Sequence, residues 1–304
     1  MKTMFKAKFI FVFLFITLMS CGSDDDIDLV PPRDRAEEAL AAQAEIEEFL
    51  ATHFYNYDEF ASPPADFDYK VIIDSIAGDN IDKTPLLEQV VSKTVTDREE
   101  DDVTYKLYYL VAKQGSGDSP DFPDIAILKY QGLDLDLVAF DSAVQPVSFD
   151  LTAVVNGFQD VMTEFNSAGS FIKNPDGSID FEDFGSGAMF LPSGLAYYNS
   201  PPASSSFDYY EQLIFTFELL DTVQGDQDGD GVPSIYEDRD GNGHEENDDT
   251  DGDFIANYLD TDDDGDGVLT SDEILDEDGN TITDPALYPD VDGDGIPDYL
   301  DADS

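Results

Sequence analysis

The acidic residues after Gly225 recur at one spacing, and that spacing can ligate a cation. Asp226, Asp228, Asp230, Gly231 and Glu237 stand at positions 1, 3, 5, 6 and 12 of a loop. In such a loop alternate side chains of a tight turn point into one hollow, glycine permits a left-handed backbone, and the twelfth residue closes an oxygen shell around calcium. Asp262, Asp264, Asp266, Gly267 and Glu273 repeat the register, and Asp290, Asp292, Asp294, Gly295 and Asp301 repeat it with aspartate last. Less complete copies start at Asp238 and at Asp249; the second carries Asp251, Asp253 and Asp260, but Phe254 at the glycine position. A solvated disordered tail would be acidic too, but random acidity would not regenerate this register. The expectation is a tail that binds Ca2+ weakly, on the order of 10⁻⁴ to 10⁻³ M, and folds as it binds.

The whole chain of 304 residues carries 69 acidic against 14 basic side chains, a net charge of −55. Nucleic acid is excluded as a partner, because neutralising phosphates takes Lys and Arg. An apolar content of 41% allows a core. The only histidines are His53 and His244, so a His-based triad or His-ligated zinc site is not expected. Cys21 is the single cysteine, which leaves no intramolecular disulfide.

Lys2, Lys6 and Lys8 precede a short apolar run from Phe9 to Met19, the pattern of an export leader. Leu18-Met19-Ser20-Cys21 resembles a bacterial lipobox, with Cys21 the residue that would be acylated; the alternative is an ordinary secretory leader with an incidental cysteine. The following Ser23-Asp24-Asp25-Asp26 resembles acidic signals of surface lipoproteins, or is a solvated tether.

Between leader and tail lie the elements that must position any site. Asp34 and Glu37 open a helix whose Leu40, Ile46, Phe49, Leu50 and His53 are expected on one face, His53 as a packing residue. Val71–Ile73 reads as a strand and Pro85–Lys93 as a short helix. Strands are expected over Thr104–Ala112, Ile125–Tyr130, Leu133–Phe140, Ala188–Leu191 and Gln212–Leu220, a short helix from Thr152 to about Phe165, and a hairpin turn at Asn174–Ser178. Strands around one short helix make an α+β domain.

Five ordered blocks run through this region: Lys129-Tyr130-Gln131-Gly132, Ala139-Phe140-Asp141-Ser142, Val154-Val155-Asn156-Gly157-Phe158, Pro192-Ser193-Gly194-Leu195-Ala196-Tyr197 and Leu213-Ile214-Phe215-Thr216-Phe217-Glu218. Together they resemble the FKBP family of peptidyl-prolyl cis/trans isomerases. The resemblance implies an antiparallel sheet wrapped on a short helix, with Phe158 as pocket floor where the family usually has Trp. It implies walls from Tyr130, Phe140 and Phe215, and Val154 and Val155 lining the pocket, with the Val155 N–H offered to a substrate carbonyl. Asp141 would stand at the edge, Tyr197 would offer its hydroxyl, and Phe149 and Phe207 would complete the substrate contacts. Val147 takes the place of a common Phe wall, and Tyr198 that of a usual Gly. Catalysis would need no cofactor. The loop starts in the tail lie too close together for paired EF-hand helices, and the tail resembles thrombospondin type 3-like calcium repeats, in which ions replace a hydrophobic core.

The expected organisation is a signal peptide over 1–21, a tether over 22–33, a helix and connecting segment over 34–99, the FKBP-like domain over 100–224 and the calcium repeats over 225–304. The function implied is prolyl isomerisation on proline-containing peptides or unfolded exported proteins, by an outer membrane lipoprotein at the periplasmic face or cell surface. Alternatives are a peptide-binding module without turnover, and a calcium-stabilised spacer or adhesion protein.

Overall fold

Asp34 opens the first helix: its carboxylate accepts the Glu37 N–H at 3.0 Å, satisfying one of the donors that a helix start leaves free. The computed structural model describes residues 31–303; the apolar leader, Cys21 and the Ser23–Asp26 run lie outside the described residues. Helix α1 (Arg35–Thr52) ends where the chain turns into the short strand β1 (His53–Tyr55). Ala39, Ala42, Ile46, Phe49 and Leu50 form its buried stripe. Leu40 does not join them; it is 72% exposed, because the buried stripe at this turn passes through Ala39 and Ala42. His53 packs as expected, its ring stacked 3.9 Å from Phe49.

The chain continues through α2 (Tyr57–Ala61), β2 (Ile73–Ser75, paired with β1), β3 (Val91–Thr96), β4 (Thr104–Lys113), β5 (Ile125–Asp134), β6 (Ala139–Asp150), α3 (Asn156–Met162), β7 (Ser170–Lys173), β8 (Ile179–Glu182), β9 (Gly185–Leu191) and β10 (Leu213–Val223). Six strands form one antiparallel sheet in the order β3-β4-β9-β10-β5-β6. Pro85–Lys93 is not a helix: a single turn at Leu86–Glu88 leads into β3, an edge strand of this sheet. Leu133 belongs to β5, and the turn before β6 is made at Leu137, which takes φ +61°. The expected hairpin at Asn174–Ser178 forms as β7 and β8.

Side chains alternate across the strands. Tyr105, Leu107 and Tyr109 of β4 and Leu213, Phe215, Phe217 and Leu219 of β10 join Phe158, Val161 and Met162 of α3 in one core. Tyr108, Leu110 and Ile214 face the other way, into a second core with Ile46, Phe49 and Leu50 of α1. The sheet is thus covered by a helix on each face, in a mixed α/β arrangement. Arg33–Ser304 forms one compact unit, and the tail has a small apolar cluster of its own, Val232, Ile274, Tyr288 and Tyr299. Among the described residues no helix is long and apolar enough to cross a membrane.

Candidate functional site

Strand pairing brings the aromatic residues to one end of the first core. Tyr130 lies on β5, Phe140, Asp141 and Phe149 on β6, and Phe215 on β10 beside β5. Gly132 makes room for this: a Cβ there would lie 2.5 Å from the Phe140 ring and 3.1 Å from that of Phe215. The helical turn Leu151–Ala153 leads through Val154 and Val155 into α3, which raises Phe158 from below. Gly157 lets α3 approach, since a Cβ there would meet Leu191 at 2.9 Å. Tyr197 follows the turn Ser193–Leu195.

These residues border an open hollow of about 520 Å³, lined by Tyr130, Phe140, Asp141, Phe149, Val154, Val155, Phe158, Tyr197 and Phe215, with Ser148, Asp150 and Ala153. The rings meet mostly edge to face: Phe158 to Phe215 at 5.4 Å, Phe149 to Phe158 at 5.5 Å and Phe140 to Phe215 at 5.6 Å, which suits the positive edge and negative face of each ring. Phe207 sits at the rim, 4.8 Å from Phe140 and 5.6 Å from Tyr197. Every residue expected at this site from sequence is thus brought to it. Val147 packs into the core below, while Phe149, two residues on and facing the same way, supplies an aromatic wall. Ser148, Asp150 and Ala153 were not anticipated; the signal for Asp150 was its spacing from Thr152, whose N–H and hydroxyl it accepts at 3.0 and 2.7 Å.

The polar equipment is sparse. Tyr130 donates its hydroxyl to Asp141 at 2.5 Å. Burial first, then this bond, push the Tyr130 phenol up, and burial followed by the Asp141 charge does the same to Tyr197, so both stay protonated donors. Among the described residues the Val155 N–H has no acceptor in the protein. A second hollow of about 350 Å³ beside Lys70, Lys129 and Glu218 is lined by charged groups and is less suited to an apolar ring.

Tyr198 takes φ +49°, a conformation that costs a non-glycine residue about 1–2 kcal/mol. Its contacts offset this. Its hydroxyl donates to the Arg33 carbonyl, Arg35 lies 4.3 Å over its ring and Tyr210 packs on its edge at 4.9 Å. Arg35 also donates to Asp97 at 2.7 Å and to the Gly194 carbonyl at 3.3 Å. The turn that presents Tyr197 is thereby fastened to α1.

The acidic loops keep one internal register. The position-7 N–H donates to the position-5 carboxylate in Val232 to Asp230, Ile255 to Asp253, Val268 to Asp266 and Ile296 to Asp294, at 2.6–2.8 Å. Position 6 has positive φ throughout, including Phe254 at +78°, whose ring is left exposed. A clamp unread in the sequence joins positions 2 and 9: Gln227 with Ser234, Thr250 with Asn257, Asp263 with Thr270 and Val291 with Asp298. Its signal was the polar residue at each ninth position.

Carboxylate oxygens of Asp226, Asp228 and Asp230, of Asp249, Asp251 and Asp253, and of Asp262, Asp264 and Asp266 converge to within 4.8 Å in each set. Asp238 and Asp240 converge instead with Asp248. Glu273 and Asp260 feel the charges of their own loops, whereas Asp301 acts on Asp264 of another. Asp290, Asp292 and Asp294 hold their loop through backbone N–H bonds. Burial and the neighbouring charges push carboxyls up, to about 6 for Asp228, 7 for Asp230 and for Glu273 and 10 for Glu237. Each of the four has a buried oxygen with no hydrogen-bond partner among the described residues. Such an all-oxygen donor set, short of positive charge, fits a hard divalent cation.

Residues 227–283 match the family model described as BamM C-terminal. No curated protein matches the chain. Among solved structures, the chain is similar to a peptidyl-prolyl cis-trans isomerase from Pseudomonas syringae pv. tomato, with 21% identity over 39% of this chain and 76% of that one, at a TM-score of 0.32. It is similar to FkpA from Escherichia coli, with 18% identity over 61% of each chain and a TM-score of 0.34. It is also similar to the three FKBP domains of wheat FKBP73, with 16% identity over 43% of this chain and 51% of that one, at 0.32.

Proposed function

We propose that the chain is an FKBP-type peptidyl-prolyl cis/trans isomerase on an envelope lipoprotein, with a calcium-ordered tail. The observation that carries this reading is the convergence of Tyr130, Phe140, Phe149, Phe158, Tyr197 and Phe215 on one apolar hollow. Turning an X-Pro bond requires loss of amide resonance, not an acid, base or metal. An apolar pocket favours the twisted bond, whose carbonyl has lost conjugation and charge separation, and shape complementarity to that state lowers the barrier. Phe158 is the floor on which the prolyl ring rests; Tyr130, Phe140, Phe149 and Phe215 are the walls. Val154 and Val155 line the entry, and the Val155 N–H and Tyr197 hydroxyl hold peptide carbonyls. Asp141 orients Tyr130 at the edge, and Phe207 covers the rim.

The clients are proline-containing segments of exported proteins. The protein is anchored through acylated Cys21 at the outer membrane, on its periplasmic face or the cell surface. The leader supports this placement, and the match of the tail to the BamM C-terminal family is consistent with it. Ca2+ held by the acidic loops supplies the positive charge that their buried carboxylates lack, and so orders the tail.

The test is cis/trans exchange in a short X-Pro peptide, followed by NMR exchange spectroscopy with the full-length protein added. Catalytic amounts should speed exchange. Peptide binding without faster exchange would make the chain a binding module.

A further inference from the structure

Asp263 belongs to no loop ligand set. It stands at position 2 of the loop that starts at Asp262, so its side chain turns away from that loop's own hollow. It is nonetheless 2% exposed, and it meets Asp230 and Glu237 of the first loop, one oxygen of each lying within 4.8 Å of the others. Asp230 is 5% and Glu237 1% exposed.

The polar accounting of this cluster is incomplete in one direction only. The Val232 N–H donates to Asp230 Oδ1 at 2.7 Å, and the Thr270 hydroxyl donates to Asp263 Oδ2 at 2.8 Å. Among the described residues Asp230 Oδ2, Asp263 Oδ1 and both oxygens of Glu237 have no hydrogen-bond partner. Among the described residues no cationic side chain makes an ion pair with any of the three. Buried carboxylates without donors or counter-charge are strongly disfavoured. Thr270 fixes Asp263 with one oxygen left over, as a positioned ligand requires.

The geometry points to a cation site between loops, in which Asp263 joins Asp230 and Glu237 of the first loop in holding one Ca2+ and ties that loop to the one that starts at Asp262. It rests on the reading of the tail as calcium-binding and adds a site that the loop register does not contain. The ligands are all carboxylate oxygens, which selects a hard cation, and their convergence from two separate loops suits the tolerant shell of Ca2+ better than the strict octahedron of Mg2+. The apolar cluster joins the same segments: Val232 lies between Asp230 and Glu237, Ile274 follows Glu273 of the loop that starts at Asp262, and Tyr288 and Tyr299 come from the last part of the chain. The ion and this cluster act together as the tail's fastening.

The experiment counts calcium bound per chain, by equilibrium dialysis, on metal-stripped full-length protein, on Asp263→Asn and on Asp292→Asn. Asp263→Asn should lose one ion. Without calcium it should melt no lower than the parent, because one repelling charge is gone; with millimolar calcium it should gain less than the parent. Asp292→Asn removes a ligand of the last loop and should lose an ion while keeping the one between loops. Calcium binding by the parent with an unchanged count and melting shift in Asp263→Asn would overturn the inter-loop site and leave the tail reading intact. No calcium binding by the parent would overturn both. Should Asp263→Asn not fold, Tb3+-loaded parent crystals decide. An anomalous peak within about 2.3–2.6 Å of an oxygen from each of the three residues is expected, and filled loops with no peak there would overturn the site.

Discussion

Gln159 donates its side-chain amide to Glu245 at 3.2 Å, and so joins the helix under the pocket to the acidic tail. Gln159 directly follows Phe158, the pocket floor, and its carbonyl oxygen accepts from Arg98, which also pairs with Glu246 at 3.1 Å. A second tie runs from Gln227 to Asp150 at 3.1 Å, at the turn that leads into Val154. The tail is thereby bonded to two sides of the pocket.

Chelating calcium should therefore weaken peptide binding as well as loosen the tail. Each tie contributes about 1 kcal/mol, so loss of one or both should raise the Kd for a proline peptide by about 5- to 30-fold. Titration calorimetry with and without millimolar calcium checks this. Gln159→Ala should lower affinity by itself and shrink the calcium effect.

Calcium should also compact the protein. Adding millimolar Ca2+ to metal-stripped protein should change its circular dichroism and reduce its radius in small-angle scattering, since like charges in the loops repel until a cation binds. Unchanged spectra and radius would contradict a calcium-ordered tail.

Tyr130→Phe removes the hydroxyl held by Asp141 and leaves the ring wall. Part of the wall's orientation is lost, and turnover should fall by about tenfold, the equivalent of about 1.4 kcal/mol, with the circular dichroism unchanged.

Asp97 holds Arg35, which joins α1 to the Tyr197 turn, and its charge is pH-dependent. Burial pulls its carboxyl up, but Arg35, the Glu99 and Glu100 N–H groups and the Tyr105 hydroxyl outweigh it and hold the carboxyl below the usual range. A lowered folded value means that its contribution is complete above the unfolded value, about 3.9, and is lost as pH falls below it. Asp97→Asn leaves Arg35 without its counter-charge and should cost about 3–5 kcal/mol at pH 7. The variant's stability should then vary less with pH than the parent's between about pH 4 and 2. Urea unfolding across that range checks both.

The pocket was legible because its walls lie on strands and one helix whose order survives in the sequence: Tyr130, Phe140, Phe158, Tyr197 and Phe215 all reach one hollow. The loop register was legible because carboxylate spacing is local. What escaped depended on long-range contacts. Val91–Thr96 is a half-exposed edge strand with a weak pattern, and it followed a proline that also suits a helix start. Leu40 matched the apolar count of its helix but not the stripe that the alanines bury. Asp263 turns out of its own loop and meets its partners in another, which no spacing rule reports.

The central claim is that the aromatic hollow turns X-Pro bonds. Its most direct measurement is the isomerisation rate of a short X-Pro peptide in a protease-free assay, comparing the full-length parent, Phe215→Ala and Asp180→Ala, the last on the exposed β7–β8 hairpin away from the hollow. The parent and Asp180→Ala should accelerate isomerisation alike, and Phe215→Ala, folded by circular dichroism, should lose the acceleration. A folded parent that gives no acceleration, or a Phe215→Ala variant as fast as the parent, would contradict the account.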